Sequence, residues 1–455
     1  MEKLRFKLTL LITKFIIWFM KLLGFNATNI PGEIALKLYP DMLKKITPPK
    51  CVIAVTGTNG KTSTNNILSQ TLKNCGYKVI DNGFGSNIIS GIVSCLISNC
   101  DLNGCCHQDY ACLEIDERSS LRIYKYLHPN YLICTNLQRD SMMRNANVQF
   151  IFDIINNNLP QETKLILNGD DLISSQLGKD NNKFRTFFSL ALQENEICRD
   201  NIIKDIVICP YCGNKIKWDF VRNHSIGRGH CPNCNFSSEK SKYIAEKVND
   251  NQIYINIDGK DEIYPLVGYR TTDYYNETAV IAVLKEVGLD SQKIAEGLRN
   301  VTVPKSRFAK ETVNGIEIIS ILSKGMNPVA ISSSCDVINK DKRKKAVIMY
   351  LDDGHETKKS SEMISYIYDV DFEFFKNSQI SQIMIGGKRS QDYLVRMLYG
   401  GLDKEMISTS FDPAHTGDNL NVNGLEVVYI LFDMYDIPNY EKIKEKVIEL
   451  CKEVR

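Results

Sequence analysis

A phosphate-binding loop is the feature that most constrains the fold of this chain. Residues 55–62 read Val-Thr-Gly-Thr-Asn-Gly-Lys-Thr, after the apolar run Cys51 to Val55 and before a helical pattern from Ser63 to Cys75. In such a loop, glycines let the backbone close around an anion, and the next helix aims its N–H groups and positive dipole end at the same point. The sequence therefore predicts an α/β sheet with this loop at the carboxyl end of a buried strand.

The loop also predicts which residues contact a nucleotide. Lys61 would reach the outer phosphates and Thr62 would hold Mg²⁺. Val55 stands where the commoner, longer loop has glycine, so this is a short form of the motif. The alternative is a glycine-rich turn without a ligand. The predicted ATP-binding residues of the loop are Gly57, Thr58, Asn59, Gly60, Lys61, Thr62 and Ser63.

The composition is that of an ordinary globular protein. The chain has 455 residues, 43% of them hydrophobic and 24% charged, with a net charge of +2. This length corresponds to about three domains, and the near-neutral charge gives no sign of a nucleic-acid partner. Because we recognise no cleavable signal peptide, we expect most of the fifteen cysteines to be free thiols in a reducing cytoplasm.

The N-terminal segment is amphipathic. Leu8 to Phe25 is mostly apolar, but Lys7, Lys14 and Lys21 recur every seven residues and so lie near one face of a helix. Packing of this helix on the protein is the first expectation, and contact of residues 1–25 with the inner membrane surface is an alternative. A membrane-spanning helix is a third one, although it usually needs about twenty uninterrupted apolar residues.

The chain divides by pattern into a leading segment and two α/β domains. From residue 51, short apolar runs alternate with helical stretches, which is typical of a parallel sheet wrapped by helices. The segment from Pro304 to Arg307 marks a hinge. We predict a leading segment over 1–48, a central nucleotide-binding domain over 49–310 with an insertion at 197–261, and a Rossmann-like C-terminal domain over 311–455.

Two Cys-x-x-Cys knuckles lie within the predicted insertion. Each knuckle offers two thiolates on a tight turn, and together they provide the closed tetrahedral set of a structural zinc site. Disulfides or a redox pair are the alternative. His224 and His230 lie between the knuckles and are expected at the surface. The predicted zinc ligands are Cys209, Cys212, Cys231 and Cys234.

Carboxylates and amides follow several predicted strands. Glu114, with Asp116 and Glu117 after it, ends one strand, and ligands bind beyond the carboxyl ends of strands in an open α/β sheet. We predict that Glu114 holds Mg²⁺ opposite Thr62, with a solvated acidic turn as the alternative. Two further groups are expected on the same rim, namely Asn136 with Asp140, and Asn168 with Asp170 and Asp171.

Together these motifs resemble those of the Mur ligase family. The resemblance is carried by the loop from Thr56 to Thr62, by Glu114, Thr135-Asn136, Asn168, Asp170 and Asp171, and by the late asparagine Asn276. The four-cysteine insertion is similar to that of one branch, the MurT-type subunits. Four further stretches fit that branch: Asn29 to Ala35, Leu113 to Glu117, Thr135 to Asp140 and Tyr368 to Glu373. The resemblance implies a Mur ligase-type central ATPase domain.

The resemblance implies a carbon–nitrogen ligase of peptidoglycan synthesis. In this branch ATP phosphorylates the α-carboxylate of D-glutamate in the stem peptide of lipid II, and ammonia from a GatD-like glutaminase subunit displaces the phosphate. The implied cofactors are ATP, Mg²⁺ and structural Zn²⁺. Lys61 and Glu114 would act in catalysis, Asn276 would contact the adenine, and Arg307 would reach the phosphates. The location would be cytoplasmic, with a peripheral position at the inner face of the membrane as the alternative.

The C-terminal domain departs from the branch. There an Asp-Gly-x-Asp motif precedes a Ser-Trp pair, and one aspartate would complete the Cys-His triad of the glutaminase. Direct counting back from Tyr368 puts Met363 at that aspartate. Asp353 and Glu356 are therefore the candidate catalytic acids, with a polar surface turn as the alternative, because methionine cannot orient a histidine.

Three functions stay open on the sequence. The motifs favour the amidotransferase subunit over a stand-alone Mur-type amino-acid ligase and over a diverged nucleotide-binding scaffold. The four-cysteine insertion argues against the stand-alone ligase. Intact Lys61 and Thr62 argue against the scaffold, whereas Met143, Ala309 and Met363 replace residues usual in the branch and argue for it.

Overall fold

The computed structural model describes residues 2–83, 86–140, 145, 147–180, 183–194, 196, 201–222, 224–249, 251–302, 308–323, 325–351, 364–433 and 437–453. The chain forms two compact units. The first comprises Met1–Gln138, Asn147–Arg199 and Asp205–Val303, and the second comprises Arg139–Ala146, Asp200–Lys204 and Pro304–Arg455. The domain boundaries given above stay predictions.

A large sheet is the framework of the first unit. The strands of this unit are β1 (Cys51–Thr56), β2 (Val79–Asp81), β3 (Tyr110–Glu114), β4 (Tyr131–Cys134), β5 (Lys164–Asn168), β6 (Arg185–Leu190), β7 (Lys217–Arg222), β8 (Ile226–His230), β9 (Tyr243–Val248), β10 (Gln252–Ile257) and β11 (Lys260–Pro265). Nine of them form one sheet in the order β11-β10-β9-β6-β5-β4-β1-β3-β2. Its neighbours from β2 to β9 run parallel, whereas β9, β10 and β11 pair antiparallel.

Helices cover both faces of this sheet. They are α1 (Glu2–Leu22), α2 (Ile30–Leu38), α3 (Met42–Lys45), α4 (Lys61–Asn74), α5 (Ile89–Asn99), α6 (Ser120–Ile123), α7 (Val148–Asn156), α8 (Thr271–Val287) and α9 (Ser291–Leu298). Val52 and Ala54 of β1 pack with α1 to α3 and α5 to α7, and Ile53 and Val55 pack with α4, α8 and α9. Because β1 is buried on both faces, its sequence is a nearly continuous run of apolar residues. The predicted α/β class is confirmed.

Two details of this unit differ from the prediction. The helix expected over 118–126 is only the short α6, because the Asp116 carboxylate holds the N–H groups of Arg118 and Ser119 in a turn before it, and a second turn follows at residues 124–126. The predicted insertion at 197–261 is separate only in part. β9 and β10 pair into the large sheet, because the alternating side chains of Tyr243, Ala245, Ile253 and Ile255 are buried in its core. What stands apart is the antiparallel pair β7–β8 between the two cysteine knuckles.

The second unit has its own mostly parallel sheet. Its strands are β12 (Phe308–Val313), β13 (Ile316–Leu322), β14 (Lys345–Tyr350), β15 (Ile380–Gly386), β16 (Ile407–Ser410) and β17 (Val427–Phe432), in the order β12-β13-β17-β14-β15-β16. Only β12 pairs antiparallel among these described strands. The helices are α10 (Pro328–Lys340), α11 (Ser365–Tyr368), α12 (Ser390–Tyr399) and α13 (Ile437–Glu453). This α/β arrangement agrees with the predicted C-terminal fold.

The N-terminal helix packs on the first unit. Phe6, Leu10 and Ile17 of α1 are buried in the core on the side of the sheet that carries α2 and α5. Packing on the protein was the first expectation for this segment. Among the helices described, none combines the length and the hydropathy that crossing a membrane requires.

Candidate functional site

The predicted phosphate loop connects β1 directly to α4. Gly57 and Gly60 have φ angles of 125° and 90°, which favour glycine. A Cβ atom at Gly57 would lie 2.3 Å from Thr135 Oγ1, and one at Gly60 would lie 2.5 Å from Asn276 Oδ1. Both positions therefore require glycine, for the backbone conformation and for the close approach of neighbouring side chains.

The first turn of α4 faces the concave side of this loop. Gly60 is the N-cap residue, and glycine has no side chain that could cap the helix. The N–H groups at a helix N-terminus and its positive dipole end attract anions. Loop and helix together fit a phosphate group.

The end of β4 braces the loop. The Thr58 N–H donates to the Asn136 carbonyl at 2.8 Å, and the Asn59 N–H donates to Asn136 Oδ1 at 3.1 Å. Asn136 Nδ2 and Thr135 Oγ1 both donate to the Asn59 carbonyl, at 2.9 and 2.7 Å. Asn136, expected on the ligand rim, is therefore a residue that holds the loop in shape.

The end of β5 supports the β4 segment in turn. Asn168 Nδ2 donates to the Thr135 carbonyl at 2.9 Å, and the Leu137 N–H donates to Asp171 Oδ2 at 2.7 Å. Burial raises the pKa of Asp171 to about 6. Asp140, predicted on the same rim, belongs to the second unit, where it accepts a hydrogen bond from Asn327 Nδ2 at 2.6 Å. Asn168 and Asp171 therefore support the phosphate loop indirectly, through the segment that follows β4.

Thr62 and Glu114 face each other across the loop. Thr62 Oγ1 donates to Glu114 Oε2 at 2.8 Å, and Asn87 Nδ2 donates to Glu114 Oε1 at 2.8 Å. Adjacent oxygen ligands of an octahedral Mg²⁺ lie about 2.9 Å apart. The spacing therefore fits a shared metal ion. Asn87 gave no signal in the sequence, because an asparagine in a loop is ordinary.

Lys61 forms a buried ion pair that the sequence did not predict. Its Nζ lies 2.8 Å from Glu117 Oε1, and the two side chains are 13% and 2% exposed. Lys61 Nζ also donates to the Gly57 carbonyl. Burial raises the pKa of Glu117, and the nearby Lys61 charge opposes that rise. The third carboxylate of the cluster, Asp116, accepts the N–H groups of Arg118 and Ser119 and so shapes the turn.

The four predicted zinc ligands come together. Cys209 Sγ lies 3.5 Å from Cys234 Sγ, Cys212 Sγ lies 3.4 Å from Cys231 Sγ, and all four atoms lie within 4.8 Å of one another. A tetrahedral zinc ion with Zn–S bonds of about 2.3 Å separates its sulfur ligands by about 3.8 Å. Hydrogen bonds from Asn214 lower the pKa of Cys212 to about 6, whereas burial and hydrogen bonds with the other three cysteines raise the pKa of Cys234. The cluster therefore fits a structural metal ion.

Arg222 at the end of β7 ties the cysteine ribbon, residues 209–234, to the large sheet. Its guanidinium donates to Glu196 Oε2 at 2.7 Å, to the Leu190 carbonyl at 2.9 Å and to the Tyr275 hydroxyl at 2.9 Å. The Tyr275 hydroxyl donates to Asp170 Oδ2 at 2.7 Å. Asp170 was predicted on the ligand rim, and in the structure it anchors the ribbon to α8.

The expectation that both histidines lie at the surface is wrong for His224. It is 1% exposed and has a φ of 72° in the turn between β7 and β8. Its neighbours Arg222 and Ser225 are also buried, and Arg222 is held by the contacts just described. The side chain of His230 is 45% exposed.

Asn276 and Glu277 are consecutive buried residues of α8, and Asn276 contacts the phosphate loop. The Asn276 amide is 5% exposed and lies against Gly60. Glu277 accepts the Val267 N–H at 2.9 Å through Oε2, while its Oε1 has no partner among the described residues. Burial raises the pKa of Glu277 from its ordinary value of 4.5 to about 8. Glu277 is therefore protonated at neutral pH.

Glu277→Gln is expected to flatten the pH dependence of stability. Between the two pKa values the folded chain keeps a proton that the unfolded chain releases, so the free energy of unfolding falls as pH rises from about 4.5 to about 8. This group contributes up to about 1.4 kcal/mol per pH unit. In urea titrations the variant should gain stability relative to the wild type progressively from about pH 4.5 to about pH 8, with a constant difference above that pH. Exposed Glu296→Gln is the control, and parallel pH profiles for wild type and Glu277→Gln would refute the expectation.

Several predicted residues cannot be placed. Arg307, Asp353 and Glu356 lie outside the described residues, as do Met143 and Met363. Ala309 lies on β12 and is exposed. Their roles stay predictions.

Several known proteins are similar to this chain in sequence or in fold. The model of the Mur ligase middle domain matches residues 55–207, and that of the MurT ligase C-terminal domain matches residues 322–435. The MurT subunit of lipid II isoglutaminyl synthase (glutamine-hydrolyzing) from Staphylococcus aureus strain COL is 28% identical, over 94% of this chain and 93% of that protein. The subunit of the same name from Streptococcus pneumoniae strain R6 is 27% identical, over 84% of each.

A solved structure shares the fold. A pseudomurein peptide ligase type C from Methanothermus fervidus matches with a TM-score of 0.70 and 20% sequence identity, covering 90% of this chain and 81% of that protein. At this identity the likeness concerns the fold.

Proposed function

We propose, since this chain belongs to the Mur ligase family and combines its middle domain with a C-terminal domain of the MurT type, that it is the ATP-dependent ligase subunit of a two-subunit amidotransferase. The substrate is lipid II, and the product carries an amide at the α-carboxylate of D-glutamate in the stem peptide. The observation that carries this proposal is the phosphate loop with Lys61, Thr62 and Glu114 in one site, on a chain that aligns with the MurT subunits over 94% of its length.

The reaction has two steps. The carboxylate oxygen attacks the γ-phosphorus of ATP, and ADP leaves. Ammonia then attacks the carbonyl carbon of the acyl phosphate, so that a C–N bond forms, the C–O bond to phosphate breaks and a proton is released. Charge builds on the transferred phosphoryl group in the first step, and a protein assists such a step mostly by positioning and by neutralising that charge.

The residues of the first unit match these needs. The loop N–H groups and Lys61 would hold the phosphates, and Thr62 with Glu114 would hold Mg²⁺, which when bound neutralises phosphoryl charge. Asn276 would contact the adenine, and Arg307 would contact the phosphates. The four cysteines would hold a structural Zn²⁺.

The proposed partner is a GatD-like glutaminase that supplies ammonia. The relatives in Staphylococcus aureus and Streptococcus pneumoniae are named as subunits, which supports a complex. Asp353 or Glu356 would complete the triad of that partner. The reaction would take place in the cytoplasm, at the inner face of the membrane, where the lipid-linked precursor lies.

Phosphate release from ATP tests this function. The chain is purified with and without a GatD-like glutaminase, and lipid II is supplied with glutamine or with ammonium. We expect turnover with ammonium by the chain alone, turnover with glutamine only in the complex, and an amidated product in mass spectrometry. Turnover that needs an added amino acid would identify a stand-alone ligase. No turnover under any of these conditions would contradict the proposal.

Glu117→Gln is expected to tighten ATP binding. In the structure Glu117 pairs with Lys61, and phosphate must compete with this carboxylate for the ammonium group. Removing one negative charge beside the phosphate site should lower the dissociation constant by about tenfold, which corresponds to about 1.4 kcal/mol. Calorimetric titration with ADP measures the change, with the exposed Glu246→Gln as control. Weaker binding by Glu117→Gln would show instead that the carboxylate positions Lys61 for the nucleotide.

A further inference from the structure

Large apolar side chains dominate the solvent side of α1 over five turns. The side chains on this side share one helix face because they recur at intervals of three and four residues. They are between 38% and 72% exposed. We call them the apolar face of α1: Leu4, Leu8, Leu11, Ile12, Phe15, Trp18, Phe19 and Leu22.

The opposite side of α1 is already fixed to the first unit. Phe6, Leu10 and Ile17 lie in its core, and Lys14 Nζ donates to the carbonyls of Ile97 and Cys100, both at 2.7 Å. A helix at a protein surface normally presents polar residues to water. The apolar face is therefore not explained by the packing of α1 within this unit.

A row of basic residues borders the apolar face. Lys3, Lys7 and Lys21 lie along one edge of the helix, whereas Lys14 on the same edge is held by the carbonyls of Ile97 and Cys100. On the other edge the Arg5 guanidinium donates to the Leu38 carbonyl. The one acidic residue of α1, Glu2, accepts the Tyr39 hydroxyl and lies near Lys45. Lysine stems can cover apolar surface while their ammonium groups reach anionic groups beside it.

We propose that the apolar face of α1 lies in the interfacial layer of an anionic lipid bilayer, with the helix parallel to the membrane plane. Leucine and aromatic side chains would enter the acyl boundary, and the lysine row would contact acidic headgroups. A second copy of the chain is a poorer occupant, because two such helices would bring like charges together, whereas acidic lipids complement them. The inference rests on the proposed function only for the choice of the lipid-linked substrate.

Vesicle binding tests this docking surface directly. The full chain is mixed with vesicles of phosphatidylcholine alone or with added phosphatidylglycerol, and bound protein is separated by flotation. The variant Phe15→Ser/Trp18→Ser should bind anionic vesicles at least about tenfold more weakly, and Lys3→Gln/Lys21→Gln should remove the preference for anionic lipid. The control Tyr399→Ser/Phe411→Ser replaces exposed aromatic residues of the second unit, which are 78% and 71% exposed, and should bind as the wild type does.

Trp18 provides a second readout. The chain has two tryptophans, Trp18 and Trp218, so Trp218→Phe leaves Trp18 as the sole source of tryptophan emission. This emission should shift to the blue with anionic vesicles. No shift, or equal binding by all variants, would overturn the proposal. Sedimentation that shows a dimer abolished by Phe15→Ser/Trp18→Ser, without vesicle binding, would assign the face to a second copy.

Turnover separates this inference from the proposed function. With a lipid-free stem-peptide substrate, Phe15→Ser/Trp18→Ser should keep the wild-type rate. With lipid II in anionic vesicles, its rate should fall together with binding. If the wild type turns over neither substrate, the proposed function is wrong. If variant and wild type have equal rates with lipid II in vesicles, the proposed membrane contact of α1 is wrong.

Discussion

Lys61→Ala is expected to abolish ATP-dependent amidation. Lys61 opens α4 at the concave side of the loop, and it is the basic side chain that the structure places there, paired with Glu117. Removing a single group that stabilises transition-state charge typically lowers kcat by roughly 10²–10³-fold. Phosphate release with lipid II and ammonium measures the loss, because ammonium makes the assay independent of the glutaminase partner.

The matched control is Lys73→Ala on the same helix. Lys73 pairs with Asp81 at the protein surface, and its side chain is 47% exposed. This variant should keep the wild-type rate and melting temperature. Because Lys61→Ala removes the partner of the buried Glu117, its melting temperature should fall, and its rate is therefore measured at a temperature at which the variant is still folded. A normal rate for Lys61→Ala would show that the loop does not serve phosphoryl transfer.

Cys231→Ser is expected to abolish binding of the proposed zinc ion and to unfold the cysteine ribbon. Structural zinc sites contribute roughly 10 kcal/mol or more to the folding of small domains. In this chain the loss of structure should extend beyond the ribbon. Arg222 belongs to the ribbon, and its guanidinium lies 3.9 Å from the Asp170 carboxylate and donates to the Tyr275 hydroxyl. Asp170 is 1% exposed, and a buried charge that loses its partner typically costs about 3–5 kcal/mol. We therefore expect that the variant loses zinc and has a lower melting temperature. ADP should also bind more weakly, because Tyr275 directly precedes Asn276, the proposed adenine contact.

Metal analysis and calorimetry check this expectation. The wild type should contain one zinc per chain, which a strong chelator removes with the same fall in melting temperature. Cys105→Ser is the control, because Cys105 is a half-buried free thiol outside the ribbon. A wild-type chain without zinc, in which thiol reagents react with the four ribbon cysteines only after reduction, would favour the disulfide alternative.

The local motifs of both sites could be read from the sequence. The loop from Thr56 to Thr62 is contiguous, and its glycines have φ values that few other residues adopt. The cysteine knuckles have a fixed spacing that matches the four sulfurs brought together in the structure. Short-range chemistry of this kind depends on few neighbours, so the pattern alone predicted the site and the α/β class.

The partners of these motifs could not be read from the sequence. Glu117 is 56 residues away from Lys61, and Arg222 is 53 residues away from Tyr275. An acidic residue after a strand, or an arginine near a turn, has the same local pattern whether or not it meets a partner across the fold. For the same reason the buried His224 was expected at the surface, and β9 and β10 were assigned to the insertion although they extend the large sheet.

The sequence by itself determined the anion loop, the thiol cluster and the resemblance to the Mur ligases, because each depends on residue types at short and fixed spacing. The tertiary structure decided three further points, namely that Asn136 and Asp171 brace the loop, that Glu117 holds Lys61, and that α1 turns one apolar face inward and another outward. These follow from which strand ends meet at one rim of the sheet and from which helix face the core covers. Both depend on long-range packing, which local spacing does not encode.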